Sequence, residues 1–312
     1  MMMKKERVII IGSGPAGLTA ALYTGRAMLE PLVIMGNEVG GQVSITNEVE
    51  NYPGFPEGLT GPDLVELMQK QAEHFGARYV YDEVVEVDFT KGAPFYVKTH
   101  GEEYEADSVI VTAGASARRL GVPGEDDNIG RGVSYCATCD GFFFRNKDVV
   151  VVGGGDSALE EGLFLTKFAN EVKIIHRRDS LRAGPTLQER AYENEKISFV
   201  WDTVVDEIVA DQVVQKIKVR NLKTNEAGEM ATDGVFIYIG HYPNSQFLQG
   251  QVELDEHGYV ITDERMRTSI PGVFAAGEIQ DPIWRQVATS VGQGCAAAMQ
   301  CEKWLSEQNK KN

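Results

Sequence analysis

Hydrophobic positions in this chain alternate between short aliphatic runs and longer stretches with helical spacing. Residues 8–11 and 149–152 are entirely β-branched, as in strands that are buried on both faces of a parallel sheet. Residues 63–75 and 285–306 repeat apolar positions with the period of a helix, whereas residues 77–112 alternate like a series of short strands. Strands that alternate with helices predict an α/β fold.

Both aliphatic runs lead into the same kind of loop. The first continues as Gly12-Ser13-Gly14-Pro15-Ala16-Gly17, and the second as Gly153-Gly154-Gly155-Asp156-Ser157-Ala158. In such a loop the first glycine makes a tight turn, the second lets the backbone approach a pyrophosphate, and the third small residue packs the helix on the strand. The alternative, a glycine-rich turn without a ligand, would have to apply twice. The repeat therefore predicts two dinucleotide-binding units.

The residues beyond each loop indicate which dinucleotide binds. After the second loop, the strand at residues 172–175 ends in His176-Arg177-Arg178, and Arg182 follows. Arginines at this point bind a 2′-phosphate, which favours NADPH over NADH; the alternative is an exposed charged loop. After the first loop, the strand at residues 31–34 ends in Met35-Gly36. Neither an acid nor an arginine lies there, so the spacing leaves the first ligand unnamed.

The end of the chain resembles the beginning of another strand–helix unit. A strand runs into Gly277-Glu278 before the long helix that starts near residue 285. A complete second dinucleotide fold already occupies about residues 148–240, so this last strand and helix need the first sheet to join. The simplest layout is an α/β protein with two Rossmann-like, three-layer domains. We expect residues 118–244 to form an NADPH domain inserted into a discontinuous first domain of residues 1–117 and 245–312.

Two cysteines lie just before the second repeat, in Cys136-Ala137-Thr138-Cys139-Asp140-Gly141. This spacing can close a small, reducible disulfide. Half of a zinc site, a static structural disulfide and two buried thiols are the alternatives, and no matching pair of further ligands supports zinc. Asp140 could protonate a leaving thiolate if burial raises its pKa; otherwise it is a turn or helix-cap residue. The remaining cysteines, Cys295 and Cys301, are expected to be buried apolar residues.

Electron transfer from NADPH to a disulfide needs a mediator. A flavin can accept the hydride and pass its two electrons on to the disulfide. The nicotinamide and the disulfide would both have to reach that flavin from one small domain. We therefore predict a rotation of the domain between two states, with hinges near Arg118 and Asn244.

Charge and composition remove other classes of function. The net charge is −16 and the pI about 4.8, which disfavours nucleic acid and anionic membranes as partners. No apolar stretch approaches the ~20 residues of a membrane span. The opening MMMKKERV runs directly into a strand and does not resemble a signal peptide. Only four cysteines are present, too few for a secreted disulfide framework. We expect a cytoplasmic enzyme without a metal.

Taken together, these motifs resemble those of the bacterial-type, low-molecular-weight NADPH-dependent thioredoxin reductases along nearly the whole chain. The resemblance implies a homodimer, with residues 1–117 and 245–312 as the domain that binds FAD non-covalently, NADPH as donor and thioredoxin as acceptor. It also implies that Cys139 lies nearest the flavin, that Cys136 attacks thioredoxin and that Asp140 is the acid–base. The implied FAD contacts are Gly12, Gly14, Pro15, Ala16, Gly17, Met35, Gly36, Gly40, Gly41, Gln42, Asn51, Val84, Gly277, Glu278, Arg285, Gln286 and Val287. The implied NADPH contacts are Gly153, Gly155, Asp156, Ser157, Ala158, His176, Arg177, Arg178 and Arg182.

Three positions depart from the family pattern. Met35 replaces an acid that many members direct to the FAD ribose, Glu278 replaces the usual aspartate, and Trp284 replaces a tyrosine. A ferredoxin-driven flavin thioredoxin reductase and an FAD-dependent dithiol oxidase share the FAD fold and the cysteine pair, but they lack a working NADPH site. The arginines at 177, 178 and 182 favour the NADPH-dependent enzyme over both.

Overall fold

The structure is a computed structural model that describes residues 3–46 and 49–310. It divides into two compact units, the first made of Met1–Ser116 and Tyr242–Asn312 and the second of Ala117–His241. The chain thus leaves the first unit once and returns to it once.

The first unit opens with β1 (Lys4–Ile11), α1 (Pro15–Arg26), β2 (Leu32–Ile34), α2 (Gly61–His74), β3 (Arg78–Val80), β4 (Val84–Asp88), β5 (Phe95–Thr99), β6 (Glu103–Val111) and β7 (Ala115–Ala117). The second contains β8 (Val133–Ser134), α3 (Ala137–Asp140), β9 (Asp148–Gly153), α4 (Asp156–Leu165), β10 (Glu171–Ile175), α5 (Pro185–Glu193), β11 (Ile197–Val200), β12 (Thr203–Asp211), β13 (Val213–Asn221), β14 (Ala227–Ala231) and β15 (Gly234–Tyr238). The chain ends with β16 (His241–Pro243), β17 (Val273–Ala275) and α6 (Val287–Asn309). Both predicted helices are confirmed as α2 and α6.

The first unit is built on a sheet in the order β3-β2-β1-β6-β5-β4, with β17 also paired to β6. The strands β3, β2, β1, β6 and β17 pair in parallel, whereas β4 and β5 extend the sheet in the antiparallel sense. Alternate residues of β1 face two separate cores: Val8 and Ile10 pack with α1 and α6, while Ile9 and Ile11 pack with the aromatic residues near β5. Burial on both faces explains the wholly aliphatic sequence of this strand.

The second unit has a parallel sheet in the order β11-β10-β9-β15-β8. Val149 and Val151 of β9 face the core beneath α4, and Val150 and Val152 face the opposite core. That opposite core is covered by an antiparallel sheet, β12-β13-β14. The sequence predicts the parallel sheet correctly but gives no sign of the antiparallel one.

The two cysteines outside the disulfide motif both lie on α6. Cys301 of α6 is buried as expected, but Cys295 is only partly buried, so the expectation for Cys295 is wrong. A helix places residues six apart on different sides, and only one of them faces the core.

Within the two described ranges, no helix is long and apolar enough to cross a membrane.

Candidate active site

Cys136 and Cys139 form a disulfide across the four-residue helix α3. Cys136 is the N-cap residue, and its Sγ accepts the backbone N–H of Cys139 at 3.2 Å. The hydroxyl of Thr138 lies 3.3 Å from the same sulfur. Donors of this kind stabilise a thiolate when the disulfide opens. Of the alternatives left open by the sequence, the structure therefore has the bonded pair.

Asp140 directly follows Cys139 and ends α3. Its Oδ2 accepts a hydrogen bond from the Ser134 hydroxyl at 2.6 Å, and its N–H donates to the Cys136 carbonyl at 3.1 Å. Burial raises the pKa of the Asp140 carboxyl, and the Ser134 bond opposes part of that rise. The structure thus supplies the physical condition that a proton-donating carboxyl requires.

Two residues that the sequence analysis missed lie behind the same turn. Burial raises the pKa of Glu161 on α4, and the nearby backbone of Ala137 and Thr138 opposes part of that rise. The Tyr238 hydroxyl lies 3.5 Å from Glu161 Oε2. Helical periodicity places Glu161 on α4, but the sequence contains no signal for which turn of the second unit that helix face meets.

The second glycine loop leaves an open place at the start of α4. A Cβ at Gly153 would come within 2.4 Å of the Tyr238 carbonyl oxygen, and one at Gly154 within 2.4 Å of the His176 ring. At Gly155 the nearest atom would be Arg182 Nη2 at 3.9 Å. Gly155 caps α4 without a side-chain acceptor. The fold therefore requires the first two glycines, while the third leaves room for a ligand beside helix N–H groups.

Three arginines lie close to His176, whose ring contacts this loop at Gly154. The backbone N–H of Arg182 donates a hydrogen bond to the Gly154 carbonyl oxygen at 2.7 Å, which holds this residue beside the loop. Arg177, Arg178 and Arg182 are exposed, and none of them forms an ion pair with a carboxylate in residues 3–46 and 49–310. The neighbouring Asp179 binds Lys223 at 2.8 Å instead.

The other predicted residues of this loop have separate positions. His176 is buried, and burial together with the three arginines lowers the pKa of its imidazole. Asp156 accepts the N–H of Gly184 at 2.7 Å. Ser157 is exposed and Ala158 is buried against the loop. Asp156 therefore orders the loop, and the exposed Ser157 hydroxyl lies in the first turn of α4.

The first glycine loop is equally tight. Gly12 has φ +112°, and a Cβ there would lie 2.3 Å from the Thr112 carbonyl oxygen; one at Gly17 would lie 2.1 Å from the Gly12 carbonyl oxygen. Gly14 has open space, and it caps α1 ahead of Pro15 without a side-chain acceptor. Ser13 Oγ donates to the Met35 carbonyl at 2.8 Å and accepts the Gly40 N–H at 3.0 Å. This serine brings the loop at 40–42 beside the first.

Some of the remaining predicted residues of the first unit lie near this loop, and the others contact different parts of the unit. Gly41 approaches Gly14, and a Cβ on Gly277 would lie 2.9 Å from Ala16 Cβ. Gly36 donates its N–H to the Asp82 carbonyl at 3.0 Å. The side chains of Met35 and Val84 are buried in the two cores, and Gln42 donates to Glu38 at 2.9 Å.

The segment before α6 carries partly buried polar groups. Burial raises the pKa of Glu278 to about 7, although Arg285 opposes the rise. Arg285 has φ +47°, and its Nε is buried without a partner among the described residues. Asn51 Nδ2 donates to Gln286 Oε1 at 3.2 Å, and Val287 starts α6.

The sequence analysis missed Asp281, which orders this segment. Its Oδ1 accepts the N–H groups of Ile283 and Trp284 at 2.9 and 3.2 Å, and its Oδ2 accepts Gln293 Nε2 at 2.7 Å. Gln293 in turn accepts the Gly277 N–H at 2.9 Å. An acid three residues after Glu278 is thus the structural anchor of the turn.

Comparison with known proteins agrees with this arrangement. Residues 6–294 match the family described as pyridine nucleotide-disulphide oxidoreductase. The thioredoxin reductase of Rickettsia conorii is 52% identical over 96% of this chain and 98% of its own length, and that of Streptomyces coelicolor is 50% identical over 98% and 95%. The crystal structure of thioredoxin reductase from Streptococcus pyogenes matches with a TM-score of 0.93 and 44% identity, over 98% of this chain and 100% of that one. The chain therefore belongs to the pyridine nucleotide-disulphide oxidoreductases and, within them, to the thioredoxin reductase family.

Proposed function

We propose that the protein passes electrons from NADPH through FAD to the Cys136–Cys139 disulfide, and from there to thioredoxin. Membership of the family implies a flavin and a pyridine nucleotide; FAD and NADPH are the specific choices that we make. The observation that carries the proposal is the disulfide itself, since it is backed by a buried acid and lies in the same unit as the arginine-lined glycine loop.

The first unit suits FAD. Gly14, with Gly41 packed against it, leaves room for a pyrophosphate beside the uncapped start of α1, where N–H groups and the helix dipole favour anions. The buried Nε of Arg285 is a donor with no partner in the described part of the chain, and a bound flavin would supply an acceptor. When bound, the flavin converts a hydride into an electron pair that a disulfide accepts. We assign the other FAD residues as the resemblance implies.

The second unit suits NADPH rather than NADH. Gly155 and the start of α4 would hold the pyrophosphate, and Arg177, Arg178 and Arg182 would hold the 2′-phosphate. Within the described residues these arginines form no ion pair with a carboxylate, so their positive charges are available to a bound phosphate.

The two cysteines would act in successive steps of the thiol–disulfide exchange with thioredoxin. Two electrons and one proton open the S–S bond and leave a thiol and a thiolate. The Cys136 thiolate attacks the thioredoxin disulfide, forming a mixed disulfide and releasing one thioredoxin sulfur, which Asp140 protonates. The Cys139 thiol then returns its proton to the Asp140 carboxylate and attacks Cys136 Sγ, which re-forms the internal disulfide and releases the second thioredoxin sulfur as a thiolate. The donors on Cys136 Sγ, Cys139 N–H and the Thr138 hydroxyl, support Cys136 as the attacking thiolate.

We also propose that the second unit rotates between hydride transfer and disulfide reduction, since both groups belong to one unit. A structure with FAD and NADP⁺ bound, in which the nicotinamide and the disulfide contact the flavin together, would contradict this rotation.

We further propose a homodimer and a cytoplasmic location. The low cysteine content and the reducing chemistry support the location. Light scattering on the purified protein should give about twice the 34.3 kDa chain mass; a value near one chain mass would contradict the dimer.

An anaerobic titration of the purified flavoprotein with NADPH tests the electron path. We expect the flavin absorption to bleach and the protein to take up two reducing equivalents more than its flavin can hold. With thioredoxin added, the protein should consume NADPH continuously. If dithionite reduces the flavin but NADPH does not, a ferredoxin-driven reductase or a dithiol oxidase becomes the better assignment.

Replacing Arg177 and Arg178 together with alanine should raise the KM for NADPH roughly 100-fold. Each charge-assisted hydrogen bond contributes about 1.5–3 kcal/mol, and about 1.4 kcal/mol corresponds to tenfold in affinity. The KM for NADH should change less than about twofold, because NADH carries no 2′-phosphate. Steady-state kinetics with both donors measures this difference, and an equal rise for both would contradict the assignment. Arg190→Ala, on α5, is the matched control and should leave both values unchanged.

A further inference from the structure

The arginine loop, residues 176–182, also carries an acid, because Asp179 directly follows Arg178. A carboxylate repels a phosphate, and it can pair with a guanidinium that would otherwise bind the phosphate. Adjacent Cα atoms are about 3.8 Å apart, less than the Debye length of about 8 Å at physiological ionic strength, so salt screens little of this charge. A loop that binds a phosphate through its arginines therefore needs a partner for Asp179.

That partner is Lys223, which comes from a different part of the second unit. Its Nζ lies 2.8 Å from Asp179 Oδ2 and 3.0 Å from Asp202 Oδ2. Lys223 lies in the turn between β13 and β14 of the antiparallel sheet, whereas Asp202 lies in the segment that follows β11. One ammonium thus joins the antiparallel sheet to the arginine loop.

The backbone holds Lys223 in this position. Asn221 Oδ1 accepts the N–H of Lys223 at 2.9 Å and so orders the turn. The N–H of Leu222 donates to the Asp202 carbonyl, and the N–H of Asp202 donates to the Arg178 carbonyl at 3.2 Å. Backbone hydrogen bonds therefore connect the turn with the arginine loop, and all of these residues belong to the second unit.

The ion pair has more effect on charge than on the stability of the fold. The side chains of Lys223 and Asp179 are 59% and 67% exposed, and exposed ion pairs contribute little to the free energy of unfolding. An aspartate is ionised at neutral pH with or without a partner. Loss of the lysine would therefore leave a folded protein with an unpaired negative charge next to Arg178.

We propose that Lys223 is a positioning residue for NADPH, which pairs with Asp179 and thereby leaves the charges of the loop arginines to the 2′-phosphate. The inference rests on the proposed function in that NADPH is the donor. It gives the antiparallel sheet a part in the choice between NADPH and NADH, through a residue that touches neither the glycine loop nor the redox pair.

Calorimetric titration of the flavin-containing protein with NADP⁺ and with NAD⁺ tests this role. In Lys223→Ala we expect the Kd for NADP⁺ to rise roughly fivefold, the scale of one exposed charge interaction. The Kd for NAD⁺, which has no 2′-phosphate, should change less than about twofold. Lys223→Arg keeps the positive charge and should keep the Kd for NADP⁺ within about twofold. Lys216→Ala, which breaks an ion pair with Glu229 on the same sheet, is the matched control and should leave both constants unchanged.

The double variant Asp179→Asn with Lys223→Ala separates charge from shape. It lacks both the lysine and the carboxylate that the lysine neutralises, so its Kd for NADP⁺ should return to within about twofold of the unmodified value. Removing the acid would not replace a lysine that only shaped the loop. A double variant that binds NADP⁺ as weakly as Lys223→Ala would therefore overturn the inference.

Two other results would also contradict this role of Lys223: an unchanged Kd for NADP⁺ in Lys223→Ala, or an equal rise for NAD⁺. In either case a preference of the unmodified protein for NADP⁺ would leave the proposed donor intact. If the unmodified protein binds NAD⁺ as tightly as NADP⁺, the proposed donor is itself wrong, and the role of Lys223 falls with it.

Discussion

Cys136→Ser should abolish the reduction of thioredoxin while leaving the reduction of the flavin by NADPH intact. The serine hydroxyl cannot form a mixed disulfide, so turnover with thioredoxin should fall roughly 10⁴-fold or more, as it does when an enzyme loses its nucleophile. Neither glycine loop contains a cysteine, so hydride transfer should continue. Stopped-flow absorption of the flavin after mixing with NADPH measures the first half-reaction, and NADPH consumption with thioredoxin measures the whole reaction.

Cys295→Ser is the matched control for this prediction. Cys295 is a partly buried free thiol on α6, so its replacement should leave both rates unchanged. If Cys136→Ser also stopped flavin reduction, the separation of the two half-reactions would be wrong. If it still reduced thioredoxin, another residue would have to be the nucleophile.

The sequence predicts the parts of the fold that repeat a strong local pattern. The aliphatic runs at residues 8–11 and 149–152 become central strands because only such residues fit a strand that is buried on both faces. The glycines at 12 and 153 follow directly from tight turns in which a Cβ would strike a neighbouring carbonyl. The cysteine spacing likewise predicts the disulfide. Each of these signals is contained in a few consecutive residues.

What the sequence does not reveal depends on contacts between distant segments. Ser13 joins the loops at 35 and 40 through a single hydroxyl, and Asp281 orders the turn before α6 through three donors. Neither residue stands out locally, since serine and aspartate are common in turns. Glu161 is hidden for the same reason, because it lies near the backbone of Ala137 and Thr138, and backbone groups give no signal in a sequence. The antiparallel strands β12–β14 have ordinary alternation, and only the fold reveals which core they cover.

Asp140→Asn should slow thioredoxin reduction about 10²- to 10³-fold, because a positioned general acid contributes roughly that much. Asparagine keeps the size of the side chain and can still accept the Ser134 hydroxyl, but it cannot donate a titrating proton. Burial raises the pKa of Asp140, and the protonated carboxyl is the active form. The rate in the unmodified protein should therefore fall as pH rises through this raised pKa. In Asp140→Asn that alkaline fall should disappear, which a pH profile of kcat with thioredoxin measures.

Ser134→Ala is a second test of whether Asp140 is the titrating acid, because the Ser134 hydroxyl favours the charged form of Asp140. Without that hydrogen bond the pKa of Asp140 should rise further, so the alkaline fall should move to higher pH instead of disappearing. Asp206→Asn, which removes an acid paired with Arg220 on the antiparallel sheet, should leave the profile unchanged. If the alkaline fall persisted unaltered in Asp140→Asn, or moved to lower pH in Ser134→Ala, the titrating acid would not be Asp140. The opposite effects of the two substitutions separate a change in proton donation from a general loss of structure, because a merely damaged site would lower the rate without moving the profile in a defined direction.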